Sequence, residues 1–157
     1  MSARGYTLIE VLVVVLIIGI VIGMVGLQVS GSEQRAVRDE SERLALLMQH
    51  AQEEAILRAR PIVFESSAEG YRFLLPAANG KLSVLENDAV LHPRLLPAAL
   101  QITRVEIDGA RAGESARILI SPTGEVVPFT IVLEQGAARW QVLGTADGRI
   151  RPQGFDA

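Results

Sequence analysis

The sequence predicts an α+β protein in which one long N-terminal helix packs on a C-terminal antiparallel β domain. Three observations lead to this prediction. Residues 11–27 are 17 consecutive positions without a polar side chain. A helical spacing of apolar residues then continues to Arg60. After Pro61 the pattern changes to short β-branched segments separated by Gly, Pro and Asn. The 157 residues are enough for one modest core.

The apolar N-terminal run predicts a membrane-spanning helix over residues 6–28. With residues 8–10 the segment reaches about 20 positions, which span about 30 Å of hydrocarbon as a helix. Arg4 precedes it and favours a cytoplasmic N-terminus, so the bulk of the chain lies on the far side of the membrane. A cleaved signal peptide is disfavoured because its apolar region is shorter and only a weak cleavage signal follows, at 29–31.

Glu10 is a carboxylate at the start of this apolar segment. An acid in a membrane segment is costly and points to a function with a specific partner. The sequence has no Lys or Arg between Arg4 and Arg35, so a basic side chain one turn away is not that partner. The alternative is that Glu10 has no specific partner and its side chain only extends to the membrane–water interface.

Residues 4–11, RGYTLIEV, resemble the processing motif of type IV prepilins and type II secretion pseudopilins. The resemblance implies a type IV pilin-like fold and a leader, residues 1–5, that a prepilin peptidase removes by cutting between Gly5 and Tyr6. Tyr6, which stands where Phe is commoner, would then carry an N-methylated amine. Glu10 would pair with such an amine in its own or a neighbouring subunit. Breaking one partner of a buried ion pair costs roughly 3–5 kcal/mol, so the pair would set the register of assembly.

Gly19 and Gly23 form a G-x-x-x-G pair within the apolar segment. Two interpretations stay open. The glycines let another helix approach closely, or they reflect the ordinary enrichment of glycine in membrane helices.

Residues 29–60 are predicted to continue the helix as a periplasmic amphipathic half. Pro61 ends it, because proline cannot continue the hydrogen-bond ladder. One face carries apolar residues at helical spacing, namely Val37, Leu44, Met48, Ala51, Ala55 and Ala59.

Residues 61–157 are predicted to form the β-rich domain. Pro128 inside a strand pattern indicates an edge or a bulge, and residues 86–99 are predicted to form a long loop or a surface arm. The predicted strands are 62–65, 71–75, 81–85, 100–107, 116–121, 126–134, 139–144 and 148–151.

The whole arrangement also resembles the H-type minor pseudopilins of type II secretion. That resemblance implies a single-pass protein of the bacterial inner membrane with its C-terminal domain in the periplasm. It also implies a subunit that joins the tip of the pseudopilus to the major pseudopilin shaft and so contributes to protein export. The implied partners are other major and minor pseudopilins, the prepilin peptidase, the inner-membrane assembly platform and membrane lipid.

The composition argues against several other functions. Cysteine is absent, and His50 and His92 have no neighbours at metal-ligand spacing, so no metal or other cofactor is expected. The chain has neither a nucleophile-elbow motif nor a phosphate loop, and an enzyme is not expected. The net charge is −3, and only Arg149 and Arg151 suggest a basic site, so no nucleic acid is expected as partner. Two alternatives remain, a type IV pilus minor pilin involved in DNA uptake and a plain membrane-anchored periplasmic domain.

Overall fold

A computed structural model of the chain describes residues 7–77, 80–97, 99–113 and 115–155, and it leaves the side-chain surroundings of residues 22–30 undescribed. Helix α1 spans Leu8–Leu57, 50 residues or about 75 Å at 1.5 Å per residue. Thr7 is its N-cap in extended geometry, and the Thr7 hydroxyl accepts from the Glu10 amide at 3.4 Å.

The helix ends three residues earlier than predicted. The Arg60 amide donates to the Ala55 carbonyl, and Ala59 takes a left-handed backbone with φ of 49° before Pro61. Ala59 is therefore exposed, and the prediction that it lies on the buried face is wrong, because helical spacing no longer applies beyond Leu57.

Ten strands form two five-stranded antiparallel sheets. Sheet A has the order β3-β2-β1-β7, with β4 also paired to β2, and sheet B has the order β10-β9-β8-β5-β6. The strands are β1 (Ile62–Ser66), β2 (Gly70–Pro76), β3 (Leu82–Val84), β4 (Arg94–Leu95), β5 (Gln101–Ile107), β6 (Ala110–Arg111), β7 (Arg117–Ile120), β8 (Phe129–Gln135), β9 (Ala138–Gly144) and β10 (Ile150–Gly154).

Each of the eight predicted segments overlaps a strand, and the two-residue strands β4 and β6 were not predicted. Strand β8 starts after Pro128, whose carbonyl accepts from the Asp108 amide. Residues 86–99 are tied to the domain, because β4 pairs with β2 and Leu91 is fully buried. The Asp88 carboxylate accepts from the amides of Val90 and Leu91, each at 2.9 Å, which fixes the turn before β4.

The core lies between the C-terminal half of α1 and the two sheets. Helix α1 packs mainly on β9 and β10 and also contacts β8, β1 and β7. Two glutamines of the helix donate to strand and turn carbonyls, Gln49 to Ile150 at 2.6 Å and Gln52 to Gly124 at 2.7 Å. These bonds fix the rotation of the helix, and the predicted residues Val37, Leu44, Met48, Ala51 and Ala55 are all fully buried.

Candidate functional site

The N-terminal half of α1 presents an apolar surface on every side. All residues from Leu8 to Val21 are exposed, and the exposed fraction of the large apolar side chains runs from 44% at Val13 to 83% at Leu8. Apolar surface in water costs about 25 cal/mol per Å² relative to burial. A helical surface of this size therefore needs a cover of lipid or of other helices.

Glu10 lies in the first turn of this exposed half. Its amide donates to the Thr7 carbonyl at 3.0 Å, and its carboxylate sits near the N-terminus of the helix, where a negative charge is favourable. The side chain is exposed, and within the described residues no cation forms a salt bridge with it. The carboxylate is thus accessible to a positive charge from outside the described part of the chain.

The other predicted site residues are the two at the cleavage position and the two glycines of the G-x-x-x-G pair. Gly5 and Tyr6 lie outside the described residues. Gly23 lies in α1, but its surroundings are not described. A Cβ added at Gly19 would have no atom within 4 Å, so this point of the helix surface is open to another helix.

The change from exposed to docked helix takes place between Glu33 and Val37. The Glu33 side chain lies against the β8–β9 turn at Gly136, where an added Cβ would come within 2.5 Å of Glu33 Oε2. Among the helix residues whose surroundings are described, Val37 is the first that is fully buried. Within the described residues, the contact of α1 with the β domain therefore begins at Glu33, and full burial of the helix begins at Val37.

Glu40 is a buried carboxylate that attaches the docked half to sheet A. Its Oε1 accepts from the Tyr71 hydroxyl at 2.8 Å, and its Oε2 accepts from Arg43 at 2.7 Å. Burial first, and then the Glu40 charge, raise the pKa of Tyr71 well above its ordinary value. Sequence reasoning missed this group. The available signal was its place between Val37 and Leu44 on the apolar face, three residues after one and four before the other.

Within the described residues, no helix has both the length and the apolar character needed to cross a membrane. The predicted transmembrane segment, residues 6–28, includes positions outside the described part of the chain and stays a prediction. The described residues also contain no group of three or more His, Asp or Glu side chains placed to hold a metal ion.

Comparisons with known proteins bear on both parts of the chain. The family model of the type II transport protein GspH matches residues 40–148, and that of the prokaryotic N-terminal methylation motif matches residues 1–26. Among curated proteins, the chain is 28% identical over 161 residues to type II secretion system protein H of Pseudomonas aeruginosa, which covers 96% of this chain and 94% of the relative. It is 27% identical over 148 residues to the protein of that name from Aeromonas hydrophila, which covers 83% and 80%.

Solved structures share the fold. The minor pseudopilin EpsH from the type II secretion system of Vibrio cholerae aligns with a TM-score of 0.67 at 19% identity, covering 79% of this chain and 97% of that one. GspH of Escherichia coli aligns with a TM-score of 0.61 at 14% identity, over 77% and 89%. The type IV minor pilin FimU of Pseudomonas aeruginosa aligns with a TM-score of 0.56 at 16% identity, over 78% and 91%. These likenesses confirm the predicted pilin-like α+β fold.

The two family matches decide between the predicted functions. The methylation motif together with the secretion family indicates a membrane-anchored periplasmic protein. The alternative of a type IV pilus minor pilin for DNA uptake finds no support, since the likeness to FimU is one of fold alone. Because the family model covers more than half of the residues, the chain belongs to the type II transport protein GspH family, as a GspH-like minor pseudopilin with a prepilin-type N-terminus.

Proposed function

We propose that the chain is a non-enzymatic subunit that enters a periplasmic pseudopilus through the apolar half of α1 and so contributes to protein export. The observation that carries the proposal is the exposure of every residue from Leu8 to Val21. Membrane lipid covers this surface before assembly, and the helices of other major and minor pseudopilins cover it afterwards. The domain of residues 61–157 stays outside the membrane, on the periplasmic side of a single span with a cytoplasmic N-terminus.

The assembly step depends on Glu10 and on a new N-terminus. A prepilin peptidase cuts between Gly5 and Tyr6 and methylates the Tyr6 amine, and an inner-membrane platform then moves the subunit into the filament. In low dielectric the cationic amine and the Glu10 carboxylate relieve each other's desolvation. An incoming subunit is therefore most stable where its stagger brings the carboxylate to an amine. The relatives' names support a place in a secretion pseudopilus, and the family resemblance supports a position between tip and shaft.

The test is Glu10→Leu in the full-length chain, expressed in cells that secrete by this pathway. Glu53→Leu is the matched control, because Glu53 is an exposed acid on the other half of the same helix. We expect the Glu10 variant to reach the membrane at wild-type level and to be cleaved, while its cross-linking to other pseudopilins and its support of secretion fall at least about tenfold. The control keeps both.

Two results would contradict the proposal. Normal secretion by Glu10→Leu at a wild-type protein level would remove the role of the carboxylate. An intact mass that starts at Met1 instead of an N-methylated Tyr6 would remove the amine with which it pairs. In that case a plain membrane anchor would explain the apolar half.

A further inference from the structure

A cleft of about 380 Å³ opens on sheet A, where the β1–β2 turn meets β4. Arg72, Arg94 and Glu65 line it, together with the exposed residues Leu95 and Ser115. The cleft lies on the β domain and not on α1, so it plays no part in the membrane insertion proposed above.

Glu65 is saturated by two arginines from the neighbouring strands. Arg72 of β2 donates to Glu65 Oε2 at 2.5 Å, and Arg117 of β7 donates to Oε1 at 2.7 Å. The Glu65 side chain is only 7% exposed, and burial alone would raise its pKa. The hydrogen bonds from Arg117 and Arg72 outweigh that effect, and the pKa of Glu65 lies below its ordinary value. The two arginine side chains are themselves half exposed, so they have donors left over for a second anion.

Arg94 is the second arginine that lines the cleft, and its position is fixed by the backbone. Strand β4 lies so close to β2 that a Cβ at Gly70 would come within 2.3 Å of the Arg94 carbonyl oxygen, which only glycine avoids. The buried Nε of Arg94 makes no hydrogen bond to any described residue. Among the residues that line the cleft, Arg72 and Arg94 outnumber the single carboxylate of Glu65, which leaves a charge of +1 on a chain whose net charge is −3.

We propose that this cleft binds an extended acidic segment of a partner protein, with one carboxylate side chain on Arg94 and Arg72 and a neighbouring apolar side chain on Leu95. Leu95, which follows Arg94 in β4, also lines the cleft and is 84% exposed, so it is available for an apolar contact. Arginine binds planar carboxylates through paired donors, and these bonds are strong where the donors are already partly desolvated. A nucleic acid is disfavoured, because it needs a track of cations and only Arg72 and Arg94 line this cleft.

The experiment uses the full chain in detergent micelles and a fluorescent heptapeptide that contains two glutamates and a leucine. A second peptide with glutamines in place of the glutamates is the matched probe. We expect fluorescence anisotropy to show binding of the acidic peptide with a Kd below about 1 mM. The glutamine peptide should bind at least about tenfold more weakly.

Three variants assign the binding to the cleft. Arg94→Gln should weaken binding at least about fivefold. Arg151→Gln, which changes an exposed arginine of sheet B, should leave it unchanged. Ser115→Asp places a negative charge at the exposed wall without removing a bond of the fold, so it should also weaken binding, and its thermal unfolding should match that of the wild-type protein.

Four outcomes would overturn the proposal. They are no binding of the acidic peptide up to about 1 mM, equal binding of the glutamine peptide, wild-type binding by both Arg94→Gln and Ser115→Asp, and displacement of the peptide by an equal concentration of inorganic phosphate or of single-stranded DNA. The last result would mean that the cleft takes any anion. None of these outcomes bears on whether α1 enters a pseudopilus, because the peptide assay does not involve assembly.

Discussion

The two halves of α1 differ in what covers their apolar side chains. From Val37 onward the apolar face is buried against the β domain of the same chain, and the polar residues at its border are matched by hydrogen bonds and ion pairs. From Leu8 to Val21 every residue is exposed, and Glu10 carries the one polar side chain of this range. The same helical geometry thus serves two purposes. One half contributes to the stability of this domain, and the other supplies surface for partners and lipid.

The largest expected effect on stability comes from making the same substitution, leucine to alanine, in each half of α1. Leu44→Ala removes a fully buried side chain and should lower the free energy of unfolding by about 3 kcal/mol, through lost transfer energy and the cavity left behind. Leu12→Ala, on the exposed half, should change it by less than about 0.5 kcal/mol. Denaturant unfolding of the full chain in micelles, followed by the fluorescence of Trp140, measures both.

Leu46→Ala is the control within the docked half. Leu46 is two residues from Leu44 but exposed, and it should behave as Leu12 does. Similar losses at all three positions would mean that the exposed half of α1 also packs on the domain, and the contrast between the halves would fail.

A smaller effect is expected from the hydrogen bond that fixes the docked half to sheet A. Tyr71→Phe keeps the ring packing with Phe64 and Phe73 but leaves the buried Glu40 Oε1 without its donor. The free energy of unfolding should fall by about 2 kcal/mol, as for other bonds to a charged group. Ser121→Ala removes an exposed hydroxyl that bonds only within its turn, and it should have little effect. An unchanged free energy of unfolding in Tyr71→Phe would show that Glu40 binds water or another partner instead.

The residues that these two tests use show how far sequence reasoning reaches. The spacing of Val37, Leu44 and Met48 predicted the buried face, because a helix repeats every 3.6 residues and the pattern is local. Glu40 was missed because its partner Tyr71 is 31 residues away on a strand. Local periodicity does not say which strand comes to lie beside the helix.

The candidate cleft could not be predicted for the same reason. Arg117 is 52 residues from Glu65, and the two meet only because β7 pairs with β1. Arg94 lies on a two-residue strand after a proline, too short to leave a period in the sequence. Glu10, in contrast, was found because a charge in an apolar run is visible without any knowledge of tertiary contacts.

Acid should lower the stability of the β domain, and the carboxylate of Glu65 in sheet A explains part of this effect. The pKa of Glu65 is lower in the folded chain than its ordinary 4.5, so the folded state holds this proton less tightly than the unfolded state does. Its contribution is complete above pH 4.5 and is lost as the pH falls through the folded-state pKa. We expect Tm to fall on acidification below pH 4.5, and Glu65→Gln to make that fall smaller.

Part of the acid dependence should remain in Glu65→Gln. Asp88 accepts two backbone amides, which lower its pKa, and hydrogen bonds from Thr145 and Arg149 lower the pKa of Asp147 to about 2. An identical pH profile for wild type and Glu65→Gln would show that the pairs with Arg72 and Arg117 add nothing to stability. Melting curves of both proteins from neutral to acidic pH decide this.

The smallest expected change in stability tests the exposed half by itself. Gly19→Ala places a methyl group where no atom lies within 4 Å, and alanine stabilises a helix interior by up to about 1 kcal/mol relative to glycine. The isolated chain should therefore keep its fold and gain slightly in helix stability, as measured by circular dichroism during thermal unfolding.

Cross-linking to other pseudopilins separates the two interpretations of Gly19. If the glycine only reflects the ordinary enrichment of glycine in membrane helices, cross-linking of Gly19→Ala stays at wild-type level. If it lets a neighbouring helix approach closely, cross-linking falls although the monomer is more stable, because the added methyl group occupies the space that the partner's backbone needs. Opposite signs in the two measurements would show that this half of α1 is adapted to contacts outside its own chain.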